Sequence, residues 1–195
     1  MLELGTFTGY SSIVMAGCHH VQKIVTVEKD PRAVAIARKF FARSAHGHKI
    51  ELLVGDTSNA LPGMCAEALR GNAGSARSSA NAHTTQPSHA AAFDLVFLDA
   101  GKRDYEIQRN MLLLHELIPI GGLVVADNVV WAGQVPRYSA ALAKGEPAAL
   151  LPPRNRPEKV TRALYEYLAH TGRDERWQQI VLPLRDGLSI ARRVK

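Results

Sequence analysis

Short β-branched runs and longer amphipathic stretches alternate along the chain. Residues 1–4 form an apolar run ending in a glycine turn. Tyr10–Ala16 then predicts a helix, and 24–27 a strand. Asp30-Pro31 is a helix-start signal, an N-cap acid followed by proline at the first helical position. Ala33, Ile36, Ala37, Phe40 and Phe41 follow it at helical spacing. Further strands are predicted over 50–54, 93–98 and 122–126, and helices over 58–69, 105–118 (stopped by Pro119) and 157–170. Residues 180–184 and 188–194 flank Arg185-Asp186-Gly187 as a closing β-hairpin. Strands that alternate with helices predict an α/β fold with a mostly parallel sheet. In such sheets ligands bind beyond the carboxyl ends of the strands, so chemistry is expected just after each one.

Two segments break the alternation. Residues 71–92 are rich in Gly, Ala, Ser, Asn, Thr and His without periodicity and read as a flexible surface insertion. Residues 136–157 are rich in Ala, Pro and Gly and read as a loop near the site. Neither resembles a domain boundary, and 195 residues suit one domain spanning 1–195.

Composition narrows the classes. Apolar residues are 46% and charged residues 22%, ordinary for a globular chain. No apolar run is long enough to span a membrane, and residues 1–5 lack the basic and apolar regions of a signal peptide. Two cysteines, Cys18 and Cys65, point to a reducing compartment, so a cytoplasmic location is expected; Cys18 reads as a small buried residue. The net charge of +6 invites a nucleic-acid reading, but ten basic against five acidic residues fall in 154–195, interleaved with apolar positions. That pattern favours a solvated face over a polyanion site.

Chemistry gathers at the strand ends. The turn Glu3-Leu4-Gly5-Thr6-Phe7-Thr8-Gly9 lets backbone approach a ligand, and Glu28, at the end of the next strand, can accept both hydroxyls of a ribose. The turn lacks the G-x-G-x-x-G fingerprint that cradles a pyrophosphate, and Glu3 suits a cationic amino-acid end. Together these favour S-adenosylmethionine over a nicotinamide dinucleotide. Asp99 follows the strand 93–98, and Asp127-Asn128 follow the next. Two carboxylates and an amide oxygen form a hard donor set for Mg²⁺, or for Ca²⁺ or Mn²⁺; the alternative is a capping aspartate after each strand. Lys102, three residues past Asp99, can act as a base beside such a cation or be an ordinary exposed lysine. The eight histidines show no zinc-ligand spacing. Trp131 reads either as a wall of an acceptor pocket or as core packing.

LELGTFTGYSS, TVEKDPRAVAIAR, FDLVFLDAGKRDY, GGLVVADNVVWAGQV and the terminal DGLSIARR, in this order, resemble the metal-dependent class I O-methyltransferases. That family includes the caffeoyl-CoA and catechol O-methyltransferases. The resemblance runs from Met1 to about Val135 and resumes from about Pro157. It implies a Rossmann-like class I methyltransferase fold, a seven-stranded sheet whose C-terminal hairpin supplies an antiparallel strand. It further implies that Glu3, Gly5, Thr6 and Ser11 hold the methionine end of the cofactor, that Glu28 binds the ribose, and that Asp56 and Thr57 lie beside the adenine. Asp99 would contact cofactor and metal, Asp127 and Asn128 would complete the metal set, and Lys102 would be the base. The implied reaction is methyl transfer to a small phenolic, catechol-type vicinal diol.

The chain departs from the pattern in places. Gly101 stands where relatives carry an acid, and Ala132 follows Trp131 where a polar residue is usual. Relatives also carry a helical segment ahead of the first motif that covers cofactor and substrate, and a homodimer is a common state among them. These departures motivate a second reading, a degenerate member that binds cofactor or a partner without turnover. A third, a nucleic-acid methyltransferase, lacks the N/D-P-P-Y/F-type motif it would need after the fourth strand.

Overall fold

The computed structural model describes residues 1–57, 63, 93–146 and 158–195. The expected helix over 58–69, apart from a helical Gly63, and the insertion 71–92 lie outside the described residues.

The described chain runs β1 (Leu2–Leu4), α1 (Tyr10–Ala16), β2 (Ile24–Glu28), α2 (Pro31–Arg43) and β3 (Ile50–Val54). It continues through β4 (Leu95–Leu98), α3 (Tyr105–Leu114), β5 (Leu123–Asp127), α4 (Gln134–Ala143), α5 (Glu158–Arg173), β6 (Trp177–Leu182) and β7 (Leu188–Arg193). The strands form one seven-stranded sheet in the order β3-β2-β1-β4-β5-β7-β6. β1 to β5 are mutually parallel, and β7 and β6 close the edge antiparallel. The α/β fold, the mostly parallel sheet and the terminal hairpin are as the sequence predicts.

Local chemistry explains the elements. Asp30 caps α2 by accepting from the Arg32 N–H at 2.8 Å, with Pro31 opening the helix. α2 buries Ala33, Val34, Ala37 and Phe41 and leaves Ile36 and Phe40 largely exposed, so its inner stripe is narrower than the apolar pattern suggests. α3 stops at Leu114, short of the expected 118, because Glu116 turns into the left-handed region before Pro119. β4 begins at Leu95 rather than 93, and β6 begins at the buried Trp177 rather than at 180.

Two expectations are corrected. The segment 136–157 is not loop throughout: its first part belongs to α4, Gln134–Ala143, and the remainder beyond 146 lies outside the described residues. Pro136 hides this helix, yet it sits in the first turn, where its missing N–H would have had no intrahelical partner. Cys18 is exposed rather than buried, because α1 ends at Ala16 and Cys18 falls in the turn that follows.

Leu2, Leu4, Val25, Val27, Val96, Leu98, Val124 and Ala126 form the centre of the core, all but fully buried. The parallel strands read as near-continuous apolar runs for that reason. Between β1 and β4 the direction of strand succession reverses, the switch point where open α/β sheets leave a crevice at their carboxyl ends.

Candidate functional site

The crevice at the switch point is closed from below by two touching turns. Gly5, directly after β1, has φ +103°. A Cβ there would lie 2.6 Å from the Asp99 carbonyl oxygen, so only glycine lets the two turns meet. Above them lies a cavity of about 360 Å³. Gly5, Glu28, Asp56, Thr57 and Asp99, all predicted from sequence, line it.

Glu28 is held by backbone alone. Its Oε2 accepts from the Phe7 N–H at 2.8 Å, and its Oε1 accepts from the Lys29 and Asp30 N–H groups, each at 2.9 Å. Lys29 pairs instead with Asp56, at 3.0 Å across the cavity rim. Thr57 is tied to α3, its hydroxyl accepting from Gln108 Nε2 at 2.9 Å.

Glu3, Thr6 and Ser11 are not part of that lining; they form the layer beneath it. Glu3 is fully buried. Its Oε1 accepts from the Ser11 hydroxyl at 2.5 Å, and its Oε2 from the hydroxyls of Thr26, at 2.5 Å, and Ser12. Thr6 and Thr26 share a further hydrogen bond at 2.6 Å. Burial raises the Glu3 pKa above the usual carboxylate value, the three hydroxyls oppose that rise, and the Asp99 charge adds to it. Ser12 and Thr26 were not singled out by the sequence. Their signal was local: a serine one helix position past Ser11, and a threonine paired with Glu3 across β1 and β2.

The second half of the rim lies beyond β4 and β5. Leu98 pairs with Ala126, so Asp99 and Asp127 leave adjacent strands side by side. Asp127 Oδ1 accepts from the Asn128 N–H at 2.7 Å, with Asn128 at φ +59°. Lys102 Nζ donates to Asp99 Oδ1 at 2.5 Å and to the Tyr105 hydroxyl at 2.9 Å. That hydroxyl in turn donates to the Asp127 carbonyl at 3.0 Å. Tyr105 is fully buried, and its pKa is raised well above the ordinary value, by burial first and then by the Asp99 and Asp127 carboxylates. It therefore stays protonated and ties Lys102 to the end of β5. Sequence reasoning missed Tyr105, although its place three residues after Lys102 was a signal.

Asp127 and Asn128 open onto a second cavity, about 590 Å³, shared with Leu184, Arg185, Asp186 and Leu188 of the β6–β7 turn. That turn clamps the segment after Asn128. Val130 and Trp131 N–H donate to the Asp186 carbonyl, and Ala132 N–H to Asp186 Oδ1 at 3.1 Å. Gly187, at φ +87°, permits the clamp: a Cβ there would lie 2.2 Å from Val130 Cγ2. The DGL motif predicted a hairpin; its role as a brace for the site was not visible in the pattern. Trp131 packs against the core, as the second of its two readings had it.

Among the described residues six non-glycine positions have positive φ, and five of them (Phe7, Asn128, Trp131, Ala132 and Arg185) flank the carboxyl ends of the strands. Strained backbone gathers at functional rims. No group of three His, Cys, Asp or Glu side chains among the described residues is arranged as a metal site. Asp99, Asp127 and Asn128 offer two carboxylates and an amide, an oxygen-only set compatible with a hard divalent cation that keeps water or substrate oxygens as its other ligands.

The comparisons agree with this geometry. The O-methyltransferase family model matches residues 1–73 and 66–194. Tricin synthase 1 of Oryza sativa subsp. japonica is 29% identical over 194 residues, covering 99% of this chain and 66% of that protein. The catechol O-methyltransferase of Niastella koreensis is 31% identical over 136 residues, covering 69% of this chain and 51% of that protein. The SAH-bound structure of a Podospora anserina methyltransferase superposes with a TM-score of 0.72 at 25% identity, over 100% of this chain and 71% of that one. The chain thus spans about two thirds or less of these curated relatives. With the switch-point crevice, its acidic rim and a family match over nearly all its residues, the chain belongs to the O-methyltransferase family.

Proposed function

We propose that this chain is a divalent-metal-dependent, S-adenosylmethionine-dependent O-methyltransferase acting on a small phenolic vicinal diol. The observation that carries the reading is the pairing of two adjacent strand ends. Asp99 faces the first cavity, Asp127 and Asn128 face the second, and Lys102 is held between them. The names of the relatives, tricin synthase and catechol O-methyltransferase, support a phenolic acceptor.

The residues divide the work. Glu28, with its carboxylate fixed by three N–H groups, binds the ribose hydroxyls, and Asp56 and Thr57 sit at the adenine side. Glu3, Thr6 and Ser11 hold the turn that carries Gly5 against the cofactor's methionine end. Asp99, Asp127 and Asn128 would hold Mg²⁺ or a similar cation. Such an ion, when bound, makes both oxygens of a diol easier to deprotonate and fixes their position. Lys102 Nζ takes the proton from the acceptor hydroxyl, and the oxygen thus freed attacks the sulfonium methyl carbon as the carbon–sulfur bond breaks, leaving the thioether. Asp99 and Tyr105 each accept one Lys102 N–H, which leaves the remaining position on Nζ turned away from both. Most of the rate advantage comes from alignment of donor and acceptor.

The test is transfer of a labelled methyl from S-adenosylmethionine to catechol, with and without Mg²⁺. Transfer is expected with Mg²⁺, and it is expected to fall at least about a hundredfold with EDTA or in Asp127→Ala. Transfer indifferent to EDTA would sink the metal assignment. Cofactor binding without turnover on any diol would favour the non-catalytic reading.

A further inference from the structure

We infer that Arg185 selects an acceptor that carries a carboxylate, so that the methylated diol is an aromatic acid rather than an uncharged catechol. The inference rests on the function proposed above and deepens it.

Arg185 lines the second cavity, with Asp127 and Asn128 across from it and the exposed apolar Leu184 beside it. It is the one cation among the described residues that line this space. Its guanidinium is exposed and forms no ion pair or hydrogen bond with any described residue. The two carboxylates nearby are otherwise engaged: Asp186 Oδ1 accepts from the Ala132 N–H, and Asp127 Oδ1 from the Asn128 N–H. Three other exposed arginines, Arg32, Arg162 and Arg176, are each drawn to a neighbouring acid.

The backbone adds a second observation. Arg185 has φ +52°, a left-handed conformation that a side chain with a Cβ disfavours and glycine adopts freely. A turn residue with no partner among the described residues, kept in a strained conformation at the mouth of a cavity, is placed for something outside the fold. The scale also fits. Leu188 pairs with Asp127 across the β5–β7 ladder, and Arg185 is three residues earlier, at most about 10 Å of chain. A diol anchored at Asp127 and Asn128 therefore places the far side of its ring near Leu184 and Arg185. A planar guanidinium meets a carboxylate through two parallel hydrogen bonds, which a neutral ring cannot supply.

The experiment compares binding of 3,4-dihydroxybenzoate and of catechol to the full chain loaded with Mg²⁺ and S-adenosylhomocysteine, by calorimetry, alongside methyl transfer to each. Wild type is expected to bind the acid about tenfold more tightly than catechol. Arg185→Gly should bring the two affinities within twofold of each other while raising the thermal midpoint, because the strained position is relieved. Arg185→Gln should also abolish the preference, without that stabilisation. Equal affinities in wild type, or an undiminished preference in both variants, would overturn the inference. A wild-type preference for the acid without any methyl transfer would leave the inference standing and refute the proposed activity. Turnover of both diols with no difference in affinity would do the reverse.

Discussion

The two halves of the sheet's carboxyl rim are built differently. Beyond β1 to β3, polar groups are buried and mutually satisfied: Glu3 is fully enclosed with three hydroxyls on its oxygens, and Glu28 is fixed by three N–H groups. Beyond β4 and β5, a short side-chain link through Lys102 and Tyr105 is joined by ordering from the backbone. Asn128, Trp131, Ala132 and Arg185 all have positive φ, and the Asp186-Gly187 brace holds the segment after Asn128. One half is preorganised by a hydrogen-bond network for a ligand of fixed shape. The other is a braced, open rim, where Lys102 holds Asp99 and the β6–β7 turn holds the segment after Asn128. Buried networks are costly to break, whereas strained turns are costly to maintain.

The largest expected effect strikes the first half. Glu3→Ala strips the acceptor from the hydroxyls of Ser11, Ser12 and Thr26, and should lower unfolding stability by about 2–4 kcal/mol in urea, with weaker binding of S-adenosylhomocysteine. A loss below about 0.5 kcal/mol would show that the network does not hold the turn.

The matching change in the other half is Gly187→Ala. It forces a Cβ toward Val130 at a position of φ +87° and should cost about 1–3 kcal/mol in thermal unfolding. Under the proposed function the brace lies on the acceptor side, so diol affinity should fall while affinity for S-adenosylhomocysteine is retained. Equal damage to both affinities would erase the distinction between the halves.

A smaller effect follows from Glu3 ionisation. Its folded-state pKa is raised, so the folded protein binds that proton more tightly than the unfolded chain does. This contribution is fully present below the unfolded value, near 4.3, and is lost as pH rises through the folded value. Wild type should therefore lose stability relative to Glu3→Gln as pH climbs through that window, measured as the difference between their urea midpoints. A difference that stays flat with pH would show that the carboxylate is not held in a desolvated site.

Much of this architecture is legible in the chain because it is written locally. Asp30-Pro31 starts α2 by capping chemistry, the β-branched runs mark the parallel strands, and an acid at or just past the end of each of β2 to β5 marks the rim. What escaped depends on contacts distant in sequence. Tyr105 matters because its hydroxyl reaches the Asp127 carbonyl, and Asp186 because its carbonyl and carboxylate receive three N–H groups from 130–132. Glu3 read as a direct cofactor ligand, yet its oxygens are taken up by Ser11, Ser12 and Thr26, a pairing that only the β1–β2 register reveals. The helix α4 was masked by proline and alanine content, because composition does not say that Pro136 falls in a first turn.

The division between the halves has one direct measurement: calorimetric titration of S-adenosylhomocysteine and, separately, of a catechol into the protein with Mg²⁺ and with EDTA. The account predicts that S-adenosylhomocysteine binds with the same affinity in both conditions, while the catechol binds only with Mg²⁺. Catechol affinity unchanged by EDTA, or loss of S-adenosylhomocysteine binding in its presence, would contradict it.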